Sequence, residues 1–277
     1  MLLSVFLMTI ALMGIVWWPL LRDYLAAFNP AYPWWAQVDL LLLGIFAAMT
    51  ILVMTGADVR ADARLAIVGL IGGLMIESWG TQTRLWSYYT NERPPLWILP
   101  AWPIATLAID RMIRALKAWA PGGRFRMYRA AQLIVLGGFL ALMLAFVWPT
   151  RAQPSTLAAL ALCAVLMVAT SDPRTQLLTF AAGAGLGYFL ELWGTTRGCW
   201  MYYTGETPPV FAVLAHGMAA VAFWRGLEVM NGGTAWIAGA ARQLRWRTVP
   251  LWTPATASRP SLESPARRAT TAPDNLP

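Results

Sequence analysis

Long apolar runs separated by short polar segments fill the first 230 residues of this chain. Eight such runs stand out, at 2–20, 36–55, 64–81, 96–113, 130–149, 155–170, 175–193 and 209–227. Most approach the roughly 20 residues that a helix needs to cross the hydrocarbon core. The sixth is shorter and suits a thinned bilayer. Backbone polar groups find no water in lipid, so only helices or a closed barrel can span it. These runs are too long and too continuous for barrel strands. The pattern therefore predicts an all-α polytopic membrane bundle of about eight transmembrane helices. The first run has no basic leader and no small-residue cleavage site, so it is expected to remain as the first span. Past Met230 the character changes. Residues 231–247, ending ARQLRWRT, suit a short basic interfacial helix. Residues 248–277, rich in Pro, Ser, Thr, Ala and Arg, are expected to form a disordered cytoplasmic tail.

Two stretches repeat one another. ESWGTQTRLWSYYTNERPP (Glu77 to Pro95) and ELWGTTRGCWMYYTGETPP (Glu191 to Pro209) align without a gap at an offset of 114, with 11 of 19 positions identical. The same offset matches Asp58 and Arg60 to Asp172 and Arg174, Gly69 to Gly183, Gly73 to Gly187, and Arg111 to Arg225. The reading that follows is two tandem four-helix repeats, residues 1–120 and 121–230. Each half has an even number of spans, so both insert the same way up, about a pseudo-two-fold axis along the membrane normal.

Composition supports the membrane reading. The chain is 58% hydrophobic and 12% charged, about half the charge of a soluble domain. The net charge of +8 does not indicate nucleic acid, because the basic residues flank apolar spans. If both termini and the loops after spans two, four and six share one side, that side holds 16 of the 21 Lys and Arg. The positive-inside rule then places both termini in the cytoplasm. The expected location is a bacterial inner membrane, with both repeated loops facing the periplasm. One histidine and two separate cysteines offer no metal cluster, and no phosphate-binding loop or hydrolase motif is present, so neither metal nor cofactor is expected.

Candidate chemistry lies on spans three and seven. Gly69, Gly73, Glu77 and Thr81 recur at intervals of four, as do Gly183, Gly187, Glu191 and Thr195, so each set shares one helical face. The glycines allow another helix to approach closely. Each glutamate then points into protein rather than lipid, where it needs a partner or a proton. Two roles stay open for Glu77 and Glu191: locking Thr, Trp or Tyr donors across the bundle, or acting as an acid. Trp79, Trp86 and Tyr88, with Trp193, Trp200 and Tyr202, are candidate substrate contacts, though an interfacial aromatic belt or a fixed loop also explains them. The Pro94-Pro95 and Pro208-Pro209 pairs favour a stiff loop. Trp102 aligns with His216, the only histidine; His216 beside a carboxylate is able to relay protons. Arg84 or Arg197 is placed to pair with Glu92 or Glu206.

The run Glu77, Gly80, Trp86, Tyr88, Pro95 and Trp102, with Glu191, Gly194, Trp200, Tyr202 and Pro209 in the second half, resembles the integral-membrane carotenoid-biosynthesis proteins of the carotenoid hydratase type. The likeness covers about 35 residues of each half. This chain departs from that family in having Trp-x-Tyr-Tyr in place of its Phe-Gly-x-Tyr segment, and in carrying the motif twice. The resemblance implies an isoprenoid or other membrane lipid as the partner. Acid catalysis would then use Glu77, Glu191 and His216, facing walls of Trp79, Trp86, Tyr88, Trp102, Trp193, Trp200 and Tyr202. A carboxylic acid kept neutral by burial suits proton donation to an alkene, and aromatic faces suit the resulting cation. A proton-coupled solute transporter, or an assembly subunit with a membrane-complex or homo-oligomeric partner, are the alternatives. Whether the chain is an enzyme stays open at this level.

Overall fold

The computed structural model describes residues 2–120, 122, 125–168 and 172–247; the tail 248–277 lies outside the described residues. Eight helices are present among these. They are α1 (Leu2–Ala26), α2 (Leu40–Met54), α3 (Val59–Gln82), α4 (Ala101–Trp119), α5 (Phe125–Phe146), α6 (Pro154–Val168), α7 (Pro173–Thr196) and α8 (Val210–Arg247). Two short strands complete the order, β1 (Trp86–Tyr88) and β2 (Trp200–Tyr202). The compact unit of interest is Met1–Gly232; the remainder, from Gly233, forms a separate unit and is helical to Arg247.

The chain is a helical membrane protein. Segments Leu96–Trp119, Phe125–Phe146, Pro173–Thr196 and Val210–Gly232 are each long and apolar enough to cross a membrane. Four of the eight expected spans meet that length and apolar character, and the others differ in detail. α2 and α6 are apolar but have 15 residues each, which is about 22 Å of helix against a core of ~30 Å. α3 carries Arg60, Asp62 and Arg64 in its first turns, which lowers its apolar character. The span expected at 96–113 opens with a 3-10 turn at Leu96–Ile98 before α4 starts at Ala101. The interfacial segment expected at 231–247 is part of the helix that starts at Val210.

Local chemistry explains the boundaries. Asp39, Asp58 and Asp172 cap α2, α3 and α7, each carboxylate accepting backbone N–H groups of the first turn. The repeated Asp-x-Arg signals are therefore helix starts. Both repeated helices end alike. Arg84 (φ 60°) and Gly198 (φ 66°) occupy the left-handed position after α3 and α7, where Leu85 and Cys199 donate back to Gly80 and Gly194 O. Gly198 takes this conformation freely, whereas Arg84 does so against its Cβ. That is where the sequence-expected loop arginine goes: it turns the chain.

α3, α4, α7 and α8 form the centre. α4 packs on α2, α3 and α7, and the open face of Gly72 on α3 receives the Phe223 ring of α8. α5 packs on α6 and α7. At one end, Arg111 of α4 is buried and holds Asp62 of α3 through Nη2 at 2.8 and 2.7 Å, Asp110 at 2.6 Å and Thr55 O at 3.1 Å. A buried pair contributes modestly when intact, but removing one partner strands the other charge.

Asp62→Ala is expected to destabilise the protein by about 1.5–3 kcal/mol, the range for losing hydrogen bonds to a charged group, since Arg111 keeps Asp110. Arg114→Ala, which breaks an exposed pair with Asp110, is expected to change stability by less than ~1 kcal/mol. Thermal unfolding in detergent micelles checks the contrast; equal effects would contradict it.

Candidate functional site

The two sequence motifs converge. β1 and β2 pair antiparallel, with Trp86 opposite Tyr202, Ser87 opposite Met201 and Tyr88 opposite Trp200. Strand alternation sends Trp86, Tyr88, Trp200 and Tyr202 to one face, while Ser87 and Met201 are exposed. Cross-strand rings meet in both pairs, each at 5.9 Å between centroids. The ladder extends as Tyr89 N donates to Cys199 O and Tyr203 N to Leu85 O. Loop aromatics that read as a belt or a stiff loop thus form a two-stranded ribbon, and Pro95 and Pro209 further along the two loops are buried.

Glu77 and Glu191 lie beneath that ribbon, each only 4% exposed. Glu77 accepts three hydrogen bonds: from Trp86 Nε1 (3.0 Å) and Tyr88 Oη (2.8 Å) on Oε2, and from Trp102 Nε1 (3.1 Å) on Oε1. Glu191 has a matching set. Trp200 Nε1 donates to its Oε2 at 2.9 Å, Tyr202 Oη donates to its Oε1 at 2.8 Å, and His216 Nε2 lies 3.0 Å from the same oxygen. Thr81 and Thr195 are not partners of the carboxylates. Their hydroxyls donate back to the carbonyls of Glu77 and Glu191, at 2.6 Å in each case.

Glycines make this reach possible. A Cβ at Gly80 would fall 1.9 Å from the Trp86 indole, and one at Gly194 would fall 2.0 Å from that of Trp200. A Cβ at Gly73 would fall 2.2 Å from Trp102, and one at Gly187 would fall 2.4 Å from His216. Each glutamate is therefore flanked on its own helix by glycines at −4 and +3, and each glycine is a seat for a ring whose nitrogen reaches the carboxyl group. Backbone-to-backbone approach occurs further along, where Gly183 faces His216 O. Of the four glycines expected to allow close helix approach, Gly73 and Gly187 instead seat a ring, while Gly69 and Gly183 meet the neighbouring helix itself.

Burial first, and the facing glutamate second, raise the Tyr88 and Tyr202 phenols well above their ordinary value. Both stay O–H donors at physiological pH.

Both glutamates line one cavity of about 120 Å³, with Trp79, Trp86, Tyr88, Trp102, Trp200, Tyr202 and His216 among its walls. The rest of the lining is aliphatic or Phe. Trp102 and His216 stack within it, ring centroids 5.7 Å apart and planes 20° from parallel. Of the sequence-expected residues, Trp193 is the exception. Its Nε1 donates to Asp39 at 3.0 Å, and the Asp39 carboxylate also accepts from Arg197 at 2.8 Å. Arg197 thus pairs with Asp39, not with Glu92 or Glu206. Trp79 lines the cavity but spends its N–H on Thr156. Among the described residues, no group of three or more His, Cys, Asp or Glu is placed to hold a metal ion.

No family model matches this chain, and neither a curated protein nor a solved structure matches it.

Gly80→Ala or Gly194→Ala is expected to push an indole off its seat and strip a donor from the carboxylate. Overpacking of this kind destabilises by about 1–3 kcal/mol. Gly185→Ala, with open space at its Cβ, is expected to be neutral or to stabilise by up to ~1 kcal/mol through helix propensity. Thermal melts of the three variants decide, and similar losses in all of them would refute the ring-seat account.

Proposed function

We propose that this protein binds an isoprenoid or related lipid chain at the paired Glu/Trp/Tyr cavity and performs acid-catalysed chemistry on it. The architecture that supports this is a bundle of two tandem four-helix repeats about an axis along the membrane normal. Matched hydrogen-bond sets at a constant offset of 114 support that arrangement, as does antiparallel pairing of the matched strands. With both termini cytoplasmic, the cavity lies toward the periplasmic side of a bacterial inner membrane.

The observation that carries the reading is that two buried carboxylates share one cavity whose walls are otherwise aromatic and aliphatic. A cavity of about 150 Å³ in an apolar core accepts benzene. At about 120 Å³, this one suits a single unsaturated unit of a chain, with the remainder lying along the lipid-facing helices. The two glutamates then divide the work. The third partner of Glu77 is an indole, which only donates. Glu77 is thus held as an acceptor, facing whatever positive charge forms. The third partner of Glu191 is an imidazole, which donates or accepts. The Glu191–His216 pair is the proton source.

One step balances as follows. A proton passes from the pair to one alkene carbon, and the π electrons form the new C–H bond. The neighbouring carbon becomes a cation faced by Glu77 and by the rings of Trp86 and Trp200. Loss of an adjacent proton back to the pair gives an isomer. Capture of water, with its proton returned to the pair, gives an alcohol. A proton-coupled solute transporter is the second reading, favoured by a further cavity that adjoins His216.

Glu191→Gln is expected to abolish the product, since losing a general acid lowers rates by about 10²–10⁴-fold. His216→Phe is expected to lower it in the same direction. Membrane abundance is measured beside the cellular lipid and pigment profile. An unchanged profile at normal abundance would refute the acid role; altered solute uptake with unchanged lipids would favour transport.

A further inference from the structure

A second cavity of about 50 Å³ lies between α4 and α8, directly against the first. The two share Trp102, Ala105, His216 and Ala219 as walls. The stacked Trp102–His216 rings thus stand between them. The smaller cavity continues along both helices to Asp110, Ile113 and Leu227. From Trp102 to Asp110 is about 12 Å of helix at 1.5 Å per residue. Its volume holds one or two waters, at ~30 Å³ each. The Asp110 side chain is 26% exposed, and its carboxylate accepts from Arg111 at 2.6 Å and Arg114 at 2.8 Å. This end of the cavity therefore reaches the surface of the bundle.

His216 borders both spaces. Its Nε2 meets Glu191, while Nδ1 makes no hydrogen bond among the described residues. Trp102, its stacking partner at the matching position of α4, has no such second nitrogen. The titratable groups around His216 are Glu191 on α7, Glu77 on α3, Asp110 on α4, and Tyr88 and Tyr202 on the strands; Arg111 is engaged by Asp110 and Asp62.

We infer that the smaller cavity is a proton-access path. Water carries protons from Asp110 to His216 Nδ1, and Nε2 passes them to Glu191. Each transfer releases the proton bound on the far nitrogen as one arrives on the near one, so the imidazole is restored by a ring flip or by return through the same atoms. This supplies the proton that the acid reading needs, and rests on that reading only for what the proton does next.

The test uses the purified full chain in liposomes adsorbed on a capacitive sensor, with an acid step applied to the bath. The wild type is expected to give a transient current as protons reach the buried pair. His216→Phe is expected to reduce the displaced charge at least fivefold. Asp110→Asn and Ile113→Phe are expected to keep the amplitude and slow the decay at least fivefold. Ile113→Phe narrows the path with every charge in place, so it tests the route where Asp110→Asn fails to fold. The inference is overturned if His216→Phe displaces as much charge as the wild type, or if Ile113→Phe and any folded Asp110→Asn decay at the wild-type rate. No substrate is involved. Normal currents with loss of the Glu191-dependent product change would sink the acid reading alone, and the reverse pattern would sink this one.

Discussion

A carboxylate inside an apolar bundle must be surrounded by hydrogen-bond donors, and the centre of this protein is arranged around meeting that need twice. The partners are aromatic side chains. Of 21 Lys and Arg, none among the described residues contacts Glu77 or Glu191; Trp, Tyr and His do so instead. An arginine there would cancel the charge. Indole and phenol donors hydrogen-bond a carboxylate without neutralising it. The same requirement dictates the backbone. Donors arrive from a strand and from the following helix at once, and both can reach only because glycines remove the side chains in their way.

Much of this was legible in the sequence, and the reasons for the remainder are physical. Helical periodicity placed Gly69, Gly73 and Glu77 on one face, and all three are buried there. The offset of 114 paired Trp102 with His216, which turn out to stack. Strand character in Trp-x-Tyr was not legible, because three residues give too short an alternation to distinguish from an interfacial belt. The direction of an indole N–H was not legible either. Trp193 and Trp200 read alike, yet one serves Asp39 at the helix end and the other serves Glu191. That choice depends on Asp39, 154 positions away in sequence, which no local pattern reveals. Arg197 went astray for the same reason.

The walls of the large cavity come from α3, α4, α7, α8 and both strands. Neither repeated motif encloses it alone. A duplicated motif that shares one cavity places two copies of every group around a single ligand volume, and identical copies would give identical protonation chemistry on both sides. The exchange of Trp for His at one matched position removes that degeneracy. The third partner of Glu77 is an indole that only donates, while that of Glu191 is an imidazole that can change its proton count.

That single asymmetry also accounts for why two cavities meet where they do. An indole and an imidazole stacked face to face are part of the wall common to both cavities at the α4–α8 interface. Two indoles in the same place would offer neither cavity a basic nitrogen. With an imidazole on one side, that wall carries a group able to take up and release a proton, which the proposed route uses. On the proposed reading, the site would keep bulk water from a cation yet receive protons one at a time, and His216 is the side chain assigned to the second need.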